Sequence, residues 1–100
     1  MRFMEVTFII EKEERGFSSV CRELGMASCG DAVEEASENL REAIELHLES
    51  LEAHGELERF FKERRVQFSA ASGAQPIKIT NLELPSFQTY VMKNTIQVSN

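Results

Sequence analysis

The sequence lacks long apolar runs. No stretch approaches the roughly 20 consecutive apolar residues that a membrane-spanning helix requires. The first residues alternate apolar and polar types and then become charged, without the continuous apolar region and small-residue cleavage site of a signal peptide. We therefore expect a cytoplasmic protein that does not enter a membrane.

Cysteine is scarce as well. Cys21 and Cys29 are the only two. Small secreted domains usually contain more cysteines, which form the disulfide bonds that stabilise their folds. A four-ligand zinc site would have to recruit both histidines, His47 and His54. Their spacing does not fit a zinc-finger pattern, and His47 falls within the apolar stripe of a helix. We expect no metal and no cofactor.

Motifs for catalysis or nucleotide binding are missing too. The chain contains no GxGxxG, P-loop, HExxH, CxxC or GxSxG pattern. Glu5 and Glu11 could form a carboxylate pair, but they occupy solvent-facing positions of an alternating strand. Pairing Cys21 or Cys29 with His47 joins two residue types at arbitrary spacing, which is a weak signal for a nucleophile and its base. We therefore expect no catalytic residues, and a protein that is not an enzyme.

In the first third of the chain, apolar residues alternate with polar ones, which is typical of β-strands. With 100 residues, 42% of them hydrophobic, the chain suits one domain with a packed core. Residues 4–10 alternate with a period of two, a polar connection ends in Gly16, and residues 17–22 alternate again. Residues 26–29 are expected to form a short third strand.

A long amphipathic helix follows these strands. Asp31 is placed to cap its start, Glu34 lies three residues later as a capping box requires, and Gly55 ends the helix. His47 is expected at the edge of the core. The apolar stripe at 3.6 residues per turn consists of Val33, Ala36, Leu40, Ala43, Ile44, His47, Leu48 and Leu51.

The remaining residues predict a short helix over 56–63, a strand over 64–68 and extended segments over 77–80 and 87–98. The predicted fold class is α+β. It consists of a βββαβ core over residues 1–70 and a β-rich C-terminal extension over residues 71–100.

The C-terminal extension is apolar enough to need a partner. A strand with apolar side chains must pair with a sheet edge of its own chain or of a second chain. We predict a dimer or a dimer of dimers held partly by this segment, and a segment folded onto its own subunit is the alternative. The predicted interface residues are Ile77, Ile79, Phe87, Tyr90, Val91, Ile96 and Val98.

Charge is distributed unevenly. Residues 1–55 hold five Lys and Arg against thirteen Asp and Glu, a net charge of −8, whereas residues 56–100 hold six against four, a net charge of +2. Such an acidic chain should bind nucleic acid poorly and attract a basic protein. Simple solvation of the acidic face is the alternative. The outer face of the long helix carries Glu34, Glu35, Glu38, Glu42, Glu45, Glu49 and Glu52.

Several segments, taken in order, resemble the HicB-like antitoxin family. They are Gly16-Phe17, Arg22-Glu23-Leu24-Gly25, Gly30-Asp31 and the helical run of residues 34–46. The resemblance implies a pared-down ribonuclease H-like fold without that domain's catalytic acids. It also implies a partner, a small basic HicA-like toxin that cleaves mRNA and is neutralised when the antitoxin covers its surface.

On this reading, we expect the partner to contact Glu38, Glu42, Glu45 and Glu49. Many family members add a helix-turn-helix or ribbon-helix-helix module, but no helical period of that length follows Phe68 in this chain. Two alternatives stay open, a stand-alone oligomeric domain with an unknown ligand and a regulator that binds DNA as an oligomer. The cations available to the regulator are Arg59, Lys62, Arg64 and Arg65.

Overall fold

A computed structural model describes residues 2–69, 77–84 and 87–98, with the backbone alone at 67, 69, 77–84, 87 and 88. Within these described residues the fold is α+β, as predicted: two helices pack with six strands that form one antiparallel sheet. The elements are β1 (Arg2–Lys12), β2 (Phe17–Cys21), β3 (Met26–Gly30), α1 (Val33–Ala53), α2 (Leu57–Arg64), β4 (Gln67–Ser69), β5 (Ile77–Leu84) and β6 (Phe87–Val98).

β1 is the centre of the sheet, whose strand order is β3-β2-β1-β6-β5. One edge of β1 pairs with β2 over residues 8–12 and with the short β4 over residues 3–5. The other edge pairs with β6 over residues 2–11. On the first edge, a gap of two residues therefore separates the end of β2 from β4.

The core lies between one face of the sheet and the two helices. Even-numbered residues of β1 point into it, and Met4, Phe8 and Ile10 are each 0% exposed. The predicted helix stripe packs against them, with Leu40 and Ile44 fully buried and Leu51 at the margin. α2 adds Leu57 and Phe61 to the same cluster. Both helices thus cover one face, and no described element covers the opposite, open face.

The C-terminal strand completes this core, which corrects the predicted division at residue 70. Ile96 and Val98 are 0% and 2% exposed within their own chain and belong to the same cluster as Met4. β1 has two edges, and a long apolar strand of the same chain satisfies the second one. The core predicted for residues 1–70 is therefore incomplete without β6.

The start of α1 also differs from the prediction. Ala32 occupies the N-cap position and makes no side-chain capping bond. The side chain of Glu35, rather than that of Glu34, accepts the Asp31 amide at 2.6 Å. The end of β3 packs closely against the first turn of α1, because a Cβ atom on Gly30 would lie 2.5 Å from the backbone nitrogen of Ala36.

Later boundaries agree with the sequence to within a few residues. α1 ends at Ala53, and Gly55 follows with a positive φ of 69°, as a helix terminator requires. α2 runs one residue past the predicted end, because Arg65 adopts the left-handed conformation at its C-cap. Neither described helix is both long and apolar enough to cross a membrane.

Candidate protein-binding surfaces

The acidic face of α1 is fully presented to solvent. All seven of its predicted glutamates are exposed, because the buried stripe of Ala36, Leu40, Ile44 and Leu48 holds the opposite side of the helix against the sheet. None of the seven forms an ion pair within the described ranges. We call this surface the acidic face; it consists of Glu34, Glu35, Glu38, Glu42, Glu45, Glu49 and Glu52.

Arg41, the only Lys or Arg on α1, turns away from those glutamates. Its Nη2 donates to Oδ1 of Asn94 at 2.7 Å, and its Nη1 donates to the carbonyl oxygen of Thr95 at 3.2 Å. Asn94 is 3% exposed, so Arg41 ties the helix to β6. The acidic face is therefore left without a cation of its own on α1.

Part of the acidic face borders a shallow cleft. Glu45, Glu49 and Glu52 line one side, and the buried side chains of Leu48 and Leu57 contribute apolar surface. Gln97 and Val98 at the end of β6 close the other side, and the enclosed volume is about 200 Å³. The cleft brings together two of the four predicted contact residues and adds Glu52, which is absent from the predicted set; Glu38 and Glu42 lie outside it.

His47 is at the edge of the core, on the side of α1 that faces α2. Its ring is exposed and meets the ring of Phe60 edge to face, with centroids 5.4 Å apart. This is the structural position that the helix stripe predicts. Within the described chain, no three His, Cys, Asp or Glu side chains gather as a metal site would require.

The residues considered for catalysis lie apart from one another. Glu5 and Glu11 are both exposed on β1, six residues or roughly 20 Å apart along an extended strand. Cys21 is buried on the helix side, whereas Cys29 is exposed on the open face. Burial raises the pKa of the Cys21 thiol to about 11, with a further contribution from the Glu23 carboxylate. Such a thiol is protonated at neutral pH and a poor nucleophile.

Glu23 has a position that sequence reasoning did not anticipate. The gap between β2 and β4 leaves the amide of Thr7 without a strand partner, and Oε1 of Glu23 accepts that N–H at 2.7 Å. The Thr7 carbonyl oxygen accepts the Arg22 amide at 3.0 Å. A side chain thus completes the hydrogen bonding of the sheet, which satisfies a residue only 1% exposed.

The same carboxylate belongs to a polar cluster on the open face. The Thr7 hydroxyl donates to Oε2 of Glu23 at 2.9 Å and accepts a hydrogen bond from Lys93 Nζ at 3.1 Å. Arg22 Nη2 lies 4.0 Å from the same Glu23 oxygen. Two cations and one carboxylate give this group a local charge of +1. We call Thr7, Arg22, Glu23 and Lys93 the Thr7 cluster.

The predicted oligomer residues fall into three groups. Ile96 and Val98 are in the core of their own chain, so they are unavailable as surface contacts, which corrects that part of the prediction. Tyr90 is partly buried on the helix side, and Val91 is partly buried on the open face. The side chains of the other three, Ile77, Ile79 and Phe87, lie outside the described residues.

The predicted DNA-contacting cations are all exposed on or beside α2. Two of them already interact with side chains of the same helix. Nε of Arg59 lies 3.5 Å from the Glu63 carboxylate. The guanidinium of Arg64 lies 5.6 Å from the centre of the Phe60 ring. Lys62 and Arg65 both line a second shallow cleft beside α2.

Comparison with known proteins adds no relative to this description. No family model matches the chain, and searches of curated proteins and of solved structures also returned no match.

Proposed function

We propose that this chain is an antitoxin-like binding protein that neutralises a small basic HicA-like, mRNA-cleaving toxin by covering its surface. The carrying observation is the acidic face of α1, which is exposed and lacks ion pairs in the described part of the chain. A basic protein surface would supply the missing counter-charges and would be steered toward this face during association.

The acidic face lowers the stability of the isolated protein. Carboxylates are unfavourable near the C-terminal, negative end of a helix, yet α1 has no basic residue in its last turn and carries Glu49 and Glu52 close to it. Glu45 and Glu49 also repel each other at a spacing of four residues. A helix selected for stability alone would place lysine or arginine here. The presence of these glutamates favours a role in binding.

The cleft beside Glu45, Glu49 and Glu52 suggests how a basic side chain is recognised. Leu48, Leu57 and Val98 provide apolar surface for the aliphatic stem of a lysine or arginine, and the three carboxylates along one side of the cleft attract its charged end. Arginine fits best, because its planar guanidinium can bind two carboxylates at once. The proposed toxin therefore inserts an arginine between α1 and the end of β6.

The fold is compatible with the proposed relationship. Three antiparallel strands lead into a long helix, which is the order that the HicB-like resemblance implies. A pared-down ribonuclease H-like topology is therefore part of the proposal.

The test is binding of the full-length chain to a purified HicA-like toxin, measured by calorimetry and by inhibition of RNA cleavage. The double variant Glu45→Lys/Glu49→Lys should weaken binding by about 100-fold or more, since two attractive contacts become repulsive. The control Glu13→Lys/Glu14→Lys makes the same change in net charge at exposed positions of the β1–β2 loop. It should weaken binding less than about tenfold.

Equal losses in both double variants would overturn the assignment of the site, because they would show that only net charge matters. Absence of binding between the unmodified chain and the toxin would overturn the antitoxin function itself.

The same proposal predicts an inert protein in isolation. The chain has a net charge of −6 and none of the catalytic motifs considered above. It should therefore neither cleave RNA nor bind a short DNA duplex tightly at physiological salt. An RNase assay and a gel-shift assay measure both. Metal-dependent cleavage that survives purification and disappears in Glu5→Gln or Glu11→Gln would contradict it.

A further inference from the structure

The open face of the sheet carries an apolar row that crosses four strands in register. Ala27 pairs with Val20, Val20 with Ile9, and Ile9 with Val91. Ala27 is exposed and the other three are partly buried. Neighbouring strands shield these side chains from the sides, while no described element covers them from above. We call these four residues the apolar row.

Charges of opposite sign border the apolar row. Glu11 lies two residues from Ile9 along β1. It is exposed and forms no ion pair with any described residue. Thr7 lies two residues from Ile9 in the opposite direction. Its cluster with Lys93, Arg22 and Glu23 has a local charge of +1. Directly beside the apolar row, the face is therefore negative at Glu11 and positive at the Thr7 cluster. Glu5 is also exposed on this face and lies two residues beyond Thr7 along β1.

This arrangement is complementary to itself under one particular symmetry. A two-fold axis running along the apolar row, between two stacked sheets, places Val20 opposite Val20 and Ile9 opposite Ile9. It also carries Glu11 of each copy over Thr7 and Lys93 of the other. A two-fold axis parallel to β1 would instead stack Glu11 on Glu11 and Lys93 over Arg22, which is repulsive.

We propose that two copies of this chain form a dimer by packing their open faces together, with the two-fold axis along the apolar row. This interface is independent of the acidic face. Because α1 lies on the other side of each sheet, both acidic faces remain exposed on the outside of the dimer. The dimer would thus present two binding surfaces pointing in opposite directions.

The size of the face predicts a weak dimer. The four strands that carry the apolar row are about 4.8 Å apart and together cover a width of roughly 20 Å. The residues that overlap under this symmetry extend roughly 25 Å along the strands. Each copy therefore buries about 500 Å², near the lower limit for a specific interface, which implies dissociation in roughly the micromolar range. Sedimentation equilibrium of the full-length chain between about 1 and 500 μM covers that range.

The first test replaces an apolar contact at the axis. Val20→Lys places two ammonium groups opposite each other and should raise the dimer dissociation constant by about 100-fold or more. Leu46→Lys is the matched control, since Leu46 is 61% exposed on α1 and outside the interface. It should leave the dissociation constant within about threefold. Circular dichroism verifies that both variants fold.

The second test reverses the charges. Glu11→Lys and Lys93→Glu should each raise the dimer dissociation constant by about tenfold. The double variant should return it to within about threefold of wild type, because the two charges are exchanged and attract each other again. Should Lys93→Glu fail to fold, salt supplies the second measurement, since the wild-type dimer should weaken as NaCl rises from 50 to 500 mM.

A full-length chain that stays monomeric at about 500 μM would overturn the proposal and leave the open face to a different protein. A dimer unaffected by Val20→Lys would overturn it as well, because the interface would then lie elsewhere. Both failures are distinct from failure of toxin binding, which is measured on the acidic face.

Discussion

At the residue scale, Glu23 shows how one side chain can replace part of a strand. β2 ends before it reaches β4, so one amide of β1 has no backbone acceptor beside it. The Glu23 carboxylate fills that gap in the sheet and, through the Thr7 hydroxyl, is connected to Lys93 on β6. A charged acceptor makes a stronger bond to an amide than a neutral one does.

Glu23→Ala should therefore lower the free energy of unfolding by roughly 1–3 kcal/mol, because it leaves the buried Thr7 amide without an acceptor. Glu23→Gln keeps an oxygen at the same position and should cost less. Urea denaturation measures both values. Equal stability of Glu23→Ala and wild type would mean that water satisfies the amide.

The two thiols should behave differently. Cys29 is exposed and Cys21 is 0% exposed, so a thiol reagent at pH 8 should modify one cysteine rapidly in the native protein and both in urea. Cys29→Ser should abolish the rapid reaction. Two rapidly reacting thiols in the native protein would contradict the burial of Cys21.

The raised pKa of Cys21 also makes stability depend on pH. The folded protein retains a proton up to about pH 11 that the unfolded chain releases above about pH 9. This contribution is fully present below pH 9 and is lost as pH rises toward 11. Cys21→Ala should show a smaller decrease in urea midpoint between pH 9 and 11 than wild type.

At the scale of the element, one side of α1 packs against the sheet and the other presents the acidic face to solvent. Its buried stripe anchors the helix to the sheet, while Arg41 fixes its position against β6. Because packing supplies the stability, the outer side can hold repelling glutamates without unfolding the helix.

Leu40 and Leu46 test this division on one helix with one substitution. Leu40→Ala should cost roughly 2–5 kcal/mol, since the side chain is 0% exposed, and Leu46→Ala should change stability by less than about 0.5 kcal/mol, since Leu46 is 61% exposed. Chemical denaturation with matched baselines compares the two. Similar costs at both positions would contradict the orientation of α1.

At the scale of the whole molecule, the last strand is inserted beside the first. β6 pairs with nearly the full length of β1 and contributes Ile96 and Val98 to the core. The fold therefore depends on contacts between opposite ends of the chain, which close a large loop at an entropic cost.

A chain truncated after Ala74 should consequently lose its cooperative thermal transition, because removal of β6 exposes one edge of β1 and opens the core. Ile96→Ala is the milder variant and should cost roughly 2–5 kcal/mol. Circular dichroism of both chains tests this dependence. A truncated chain that unfolds cooperatively at the wild-type temperature would show that the core is complete without β6.

The sequence by itself determined the local elements of this protein. Period-two alternation placed the first strands, a 3.6-residue stripe placed α1 and oriented Leu40 and Ile44 inward, and Gly55 marked the end of the helix. These signals depend on neighbours within a few positions, so a single sequence is sufficient to read them. The same periodicity also determined that the glutamates of α1 face solvent.

Only the tertiary structure decided which strands lie side by side. Strand pairing joins residues almost a whole chain apart, such as Arg2 with Val98, and many registers satisfy the same local pattern. For that reason the sequence left open whether the last strand binds its own subunit or another. It also could not locate the Thr7 cluster, because the gap that Glu23 fills exists only after β2 and β4 have both paired with β1.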